Sequence, residues 1–175
     1  SGTSYLANAN ITLNSNITLY AQWRLVDKTV SYNSNGGSNV AYEYVAVGNS
    51  ATQPTNPTKT GYSFVGWYTT SGLNTAYNFA NTISSDMTLY AKWAIAQNTV
   101  AFESNGGSFV NPLMVNYNSS ISEPTAPTKT GFAFAGWYTN SNLTTPYNFS
   151  NSVTNTLTLY AKWITRTYTV NFVDN

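Results

Sequence analysis

The chain has no cysteine, no histidine and little charge. Asp, Glu, Lys and Arg make up 7% of its 175 residues, against roughly 25% in an average soluble protein. Without cysteine there is neither a disulfide nor a thiolate nucleophile, and without histidine a catalytic triad cannot be assembled. The same two absences, with no clustered acids, remove the ordinary ligand sets of a structural metal site. The six acids, Asp27, Glu43, Asp86, Glu103, Glu123 and Asp174, are dispersed along the sequence, so paired carboxylates for general acid–base work are not evident. The net charge is +1 and the seven basic residues are scattered, which argues against the basic patch of a nucleic-acid-binding surface. No apolar run approaches the roughly 18 residues of a membrane span, and no signal-peptide pattern is visible. Enzymatic activity, a cofactor and nucleic-acid binding are therefore not expected. Membrane contact is expected only through an anchor outside these residues.

What the chain does have is aromatic residues, at 15%, and a repeat. Gly61-Tyr62-Ser63-Phe64-Val65-Gly66-Trp67-Tyr68-Thr69 returns as Gly131-Phe132-Ala133-Phe134-Ala135-Gly136-Trp137-Tyr138-Thr139. Thr88-Leu89-Tyr90-Ala91-Lys92-Trp93 returns at 158–163, and a variant of it stands at 18–23. Residues 28–97 and 98–167 align without gaps and are identical at 35 of 70 positions. The expected organisation is the end of a preceding unit (1–27), two complete units (28–97 and 98–167) and the first strand of a following unit (168–175). Tandem copies of one unit build length, valency or an extended surface rather than one catalytic pocket. A unit of this size is near the lower limit for independent folding. With no disulfide or metal available, aromatic burial and stacking on neighbouring units must supply its stability. No acid has an acid at the matching position of the other unit: Glu43 faces Leu113, Asp86 faces Thr156, Glu103 faces Asn33 and Glu123 faces Gln53.

Within a unit the pattern is that of strands. Val30 and Tyr32 alternate with polar residues, as do Val100 and Phe102, which predicts a half-buried strand. Asn35-Gly36-Gly37 suits a tight turn, so a second strand is expected over 38–47. There Val40, Tyr42 and Tyr44 share one face while Val45 and Val47 share the other, which predicts a bulge or a change of exposure. Two prolines make 53–61 an extended connector. A helical turn is possible at 49–53 and 119–123. A third strand carries Tyr62 to Phe64 and Val65 to Trp67. Residues 70–82 form a turn-rich segment with Leu73, Tyr77 and Phe79 as anchors. In the last strand Met87, Leu89, Ala91 and Trp93 point one way and Thr88, Tyr90 and Lys92 the other. No window shows a helical period. Five residues separate Trp93 from Thr99, so neighbouring units are joined by a short linker.

The motifs Val30-x-Tyr32-x-x-Asn35-Gly36-Gly37, Pro57-Thr58-Lys59-x-Gly61-Tyr62-x-Phe64-x-Gly66-Trp67-Tyr68 and Leu89-Tyr90-Ala91-Lys92-Trp93 resemble those of the Listeria–Bacteroides repeat, the family of the internalin B-type B repeat. The resemblance covers almost the whole chain. It implies tandem β-grasp-like repeats on bacterial surface proteins, extracellular and anchored to the cell wall or secreted. Such repeats lie between a recognition region and an anchor. A β-grasp packs a substantial helix on its sheet, and this sequence has room for little more than a turn. The expected class is therefore mostly β, α+β at most.

Trp67, Trp93, Trp137 and Trp163 invite comparison with glycan-stacking platforms, but their place on strands beside glycines reads as core. Tyr68, Tyr138, Tyr90 and Tyr160 point away from the adjacent Trp or Leu and are the candidate ligand-contact residues. Covering the second face of the sheet is their alternative role. Lys59 with Lys129, and Lys92 with Lys162, recur, and Asn is abundant, which raises an intramolecular Lys–Asn cross-link. The acid such a cross-link needs does not recur, so solvated or snorkelling lysines are expected. The Gly-Gly pairs read as turns, not phosphate loops. Two functional readings follow. One is a stalk or spacer that projects an adhesin. The other is a multivalent module that binds a glycan or a host-surface protein through its tyrosines.

Overall fold

The computed structural model describes residues 26–172 together with Asn10, Thr12, 15–18 and Tyr20. It holds eight strands: β1 (Asp27–Asn33), β2 (Glu43–Ala46), β3 (Tyr62–Tyr68), β4 (Met87–Ile95), β5 (Gln97–Glu103), β6 (Leu113–Asn116), β7 (Phe132–Tyr138) and β8 (Leu157–Thr165). They form two four-stranded sheets of order β2-β1-β4-β3 and β6-β5-β8-β7. In each sheet the two central strands run parallel and the edge strands antiparallel. This is the β-grasp strand order, in two tandem units. The described residues contain no helix. The expected turn at 49–53 closes earlier, where the Asn49 N–H donates to the Ala46 carbonyl at 3.0 Å. The connector and the 70–86 segment occupy the side of the sheet where a helix would pack. Ala51, just before the connector, and Ile83 bury themselves against Val30, Val45, Trp67, Leu89 and Ala91. Proline-fixed backbone and short polar turns give an extended cover in place of a helix.

The alternation of β4 is borne out: Leu89 and Ala91 are fully buried, with Met87 and Trp93 packed beside them. Tyr77 and Phe79 also pack on the core, while Leu73 stays half-buried in a tight turn with φ +54°. Three expectations need correction. The second strand begins at residue 43, not 38. The Asn-Gly-Gly segment does turn, with Gly37 N–H donating to Ser34 O at 3.0 Å, but the chain then runs to the connector, where Ser38 N–H donates to Thr58 O. The change of exposure is explained by that late start, since Val45 faces the core and Tyr42 and Tyr44 lie exposed. The register shift lies in β3 instead, between Phe64 and Gly66, and is repeated in β7 between Phe134 and Trp137. The extra residue is what lets Phe64 and Trp67, an odd three apart, share the core face. Their rings meet edge-on at 5.5 Å, and Val65 is turned outward.

The third correction is the linker. β4 continues to Ile95 and β5 begins at Gln97, so Ala96 alone separates the two sheets. Residues 166–172 carry no strand, and Val170 and Phe172 are exposed. The remainder of the expected 168–175 strand, and most of segment 1–27, lie outside the described residues.

Candidate functional site

The repeated motif residues converge on one place in each unit. Asn35 takes φ +48° and Gly36 φ +84°, a left-handed turn that Asn and Gly enter at least cost. The turn sets the Asn35 Nδ2 to donate to the Ala91 carbonyl of β4 at 2.7 Å. Gly37 lies against Trp93 so closely that a Cβ there would stand 2.4 Å from Trp93 Cζ2. The Trp93 indole N–H donates to Ser34 O at 2.9 Å. Lys59, from the connector, donates through Nζ to Asn35 O at 2.9 Å and sits over the rings of Tyr62 at 4.7 Å and Trp93 at 5.8 Å. Partly desolvated cation–π contacts of this kind are worth about 0.5–2 kcal/mol. The second unit repeats the arrangement with Asn105, Gly107, Lys129, Phe132 and Trp163. The Pro-Thr-Lys-x-Gly and Asn-Gly-Gly motifs are thus one structural knot that ties connector, turn and β4 together.

Trp67 and Trp137 belong to the core. They are 3% and 2% exposed, and each meets Phe64 or Phe134 and Tyr32 or Phe102 edge-on. Their indole N–H groups, and the hydroxyls of Tyr77 and Tyr147, are buried without a protein partner. Burial raises the pKa of both phenols, with the Glu43 charge adding to the effect at Tyr77.

The four candidate tyrosines are brought together in pairs. Tyr68 on β3 is the cross-strand partner of Tyr90 on β4, and Tyr138 is the partner of Tyr160. All four are half-buried on the sheet face away from the core. Lys92 Nζ lies 4.7 Å from the Tyr68 ring centre and donates to the Leu73 carbonyl at 3.3 Å, and Lys162 covers Tyr138 at 4.8 Å. In the first unit this face continues into a groove of about 610 Å³ lined by Thr29, Ser31, Thr70, Asp86, Thr88 and Tyr90. Both recurring lysine pairs therefore sit over aromatic rings, and those of the first unit donate to backbone carbonyls. A more exposed aromatic pair, Tyr42 and Tyr44, was placed on one face by the sequence pattern but not singled out as a candidate site. Their rings meet edge-on at 5.3 Å, but Pro112 and Met114 occupy the matching positions, so the pair belongs to one unit.

One polar network is also confined to the first unit. The Tyr32 hydroxyl donates to Glu43 Oε1 at 2.7 Å, and the same carboxylate accepts from Thr52 N–H at 3.1 Å. Burial first, then the hydrogen bond and charge of Glu43, push the Tyr32 phenol well above its ordinary pKa. In the second unit Phe102 and Leu113 replace the pair. The phenol and the carboxylate that accepts from it thus differ together between the units, with two apolar groups in their place in the second. Among the described residues no group of three or more acids could hold a metal ion, and no helix is long and apolar enough to cross a membrane.

Comparison with known proteins agrees with this geometry. A Gly-rich membrane protein of Evansella cellulosilytica is 47% identical over 162 residues, which is 91% of this chain and 19% of that protein. A second membrane protein of the same organism is 46% identical over 161 residues, again 91% of the chain and 24% of its own length. Internalin H of Listeria monocytogenes is 37% identical over 115 residues, or 63% of the chain and 21% of that protein. The chain thus spans about a fifth to a quarter of the length of these relatives. The Listeria-Bacteroides repeat domain matches twice, at residues 29–92 and 99–162. The chain belongs to the Listeria-Bacteroides repeat domain family.

Proposed function

We propose that these residues are a non-enzymatic spacer of a bacterial surface protein, a stalk of tandem units that holds an adhesive region away from the cell. One observation carries the reading: apart from the outward tyrosine pairs, the motif side chains that recur are used up in building their own unit. Asn35, Lys59, Trp67 and Trp93, and their counterparts in the second unit, are all held within the core or the knot. What the repeat preserves is a shape. The similarity to internalin H and to two proteins named as membrane proteins supports an extracellular place, anchored or secreted. Small-angle scattering on the two-unit chain tests the proposal. An elongated particle of narrow length distribution is expected, and a distribution as broad as that of freely jointed units overturns it.

A second reading has one observation in its favour. The groove beside Tyr90, lined by hydroxyls and Asp86, has the chemistry to hydrogen-bond a glycan or a host-surface protein, and the tyrosine pair beside it recurs in the second unit, so the tyrosines would be presented bivalently. A glycan array is the direct test. Binding that is lost on Tyr90→Ala or Tyr68→Ala supports this reading, and silence across the array removes its glycan form.

A further inference from the structure

The junction between the two units is built more tightly than a linker requires. Ala96 is the only residue between β4 and β5, and both its peptide groups are held, one by each unit. Its N–H donates to Gly61 O of the first unit at 2.9 Å, and its carbonyl accepts from Tyr117 N–H of the second at 2.7 Å. The half-buried Tyr117 ring then lies on Gly61 itself. A Cβ on Gly61 would stand 2.4 Å from Tyr117 Cδ1 and 2.8 Å from Cε1. Gly61 therefore has two reasons to be glycine, its φ of +78° and the ring that takes the place of a side chain.

We propose that Gly61 and Tyr117 form a knob-and-socket joint whose partner is the neighbouring copy of the same unit, and that this joint fixes the angle between units. The inference rests on the spacer reading and supplies its stiffness. A single covalent linker residue limits distance but leaves rotation about its own φ and ψ. Two opposed hydrogen bonds on Ala96 and an aromatic ring seated off that axis remove the rotation, because any swing must lift the ring from Gly61. The second unit repeats the socket half. Arg166 N–H donates to Gly131 O at 3.1 Å, Gly131 has φ +82°, and a Cβ there would meet nothing within 4 Å. The knob position is Tyr117 in the second unit and Val47 in the first, so the ring is particular to this junction.

Gly131 supplies an internal control. Gly61→Ala and Gly131→Ala bear the same left-handed backbone strain, and only the first drives a methyl into Tyr117. Residual dipolar couplings on the two-unit chain give one alignment tensor if the units are locked and two if they are not. One tensor is expected for the wild type and for Gly131→Ala, and two for Gly61→Ala and Tyr117→Ala, with each unit's amide spectrum otherwise retained. If Gly61→Ala unfolds the first unit, Tyr117→Ala decides. A single tensor in Tyr117→Ala overturns the joint and leaves a spacer stiffened by Ala96 alone. Two tensors in the wild type overturn both the joint and the stiff spacer.

Discussion

At the scale of the residue, the glycines and tyrosines carry the sharpest consequences. Gly37 does not need a positive φ, so Gly37→Ala tests packing alone. A methyl 2.4 Å from Trp93 Cζ2 and 3.2 Å from Thr58 O must displace the indole, at a cost of about 1–3 kcal/mol. Urea unfolding followed by Trp fluorescence will show a lower midpoint, and Gly107→Ala will do the same in the second unit. Tyr32 makes the first unit sensitive to alkali. In the unfolded chain its phenol ionises near pH 10, while in the folded unit burial and Glu43 hold the proton to higher pH. Stability from this group is complete below about pH 10 and is lost as pH rises further toward the folded pKa. Burial raises Tyr77 and Tyr147 in both units, and Glu43 adds to the effect only at Tyr77. Amide signals of residues 27–95 are therefore expected to melt before those of 97–165 as the solution is made alkaline, and Tyr32→Phe should narrow that difference.

At the scale of the element, β4 is the spine of the unit, since it pairs with β1 on one side and β3 on the other. Leu89→Ala removes a fully buried side chain from it and should cost about 2–5 kcal/mol, read as a fall in the urea midpoint of the first unit. The exchange between β1 and β2 predicts a coupled pair. Tyr32→Phe leaves the Glu43 carboxylate without its phenol, and Glu43→Leu leaves the phenol with only Thr52 O at 3.2 Å. The double variant copies Phe102 and Leu113 and should recover a coupling of about 0.5–3 kcal/mol in a double-mutant cycle. β4 was legible in the sequence because it obeys period two without a break from Met87 to Trp93. β3 was only half legible, because the extra residue before Gly66 inverts the face of everything after it, and alternation alone puts Val65 on the side of Trp67. β2 was over-extended for the opposite reason. Asn-Gly-Gly is a turn, but a turn whose exit is captured by Thr58, about 66 Å of chain away at about 3.3 Å per residue, rather than by the strand before it. The tyrosine pairs were legible as to face. Their cover by Lys92 and Lys162 was not, since it depends on which residues meet across β3 and β4.

At the scale of the whole molecule, two units of the same strand order follow one another on one chain. Identical neighbours carry a hazard: during folding, a strand of one can enter the sheet of the other, and interdomain misassembly of this kind is characteristic of repeat proteins. The Tyr32 and Glu43 pair of the first unit stands as Phe102 and Leu113 in the second, a difference expected to work against it. If β1 enters the second sheet, the Tyr32 hydroxyl meets Leu113 in place of the Glu43 carboxylate and loses that hydrogen bond. If β5 enters the first, Glu43 loses its donor to a phenyl ring. Each sheet thus recognises its own strand by a polar match or an apolar one. Making the units alike by Phe102→Tyr with Leu113→Glu should leave each fold intact and raise the misfolded fraction on rapid refolding, measured by size-exclusion chromatography and protease resistance. On that outcome, a difference that looks like drift between copies is a key that keeps adjacent copies from folding into one another.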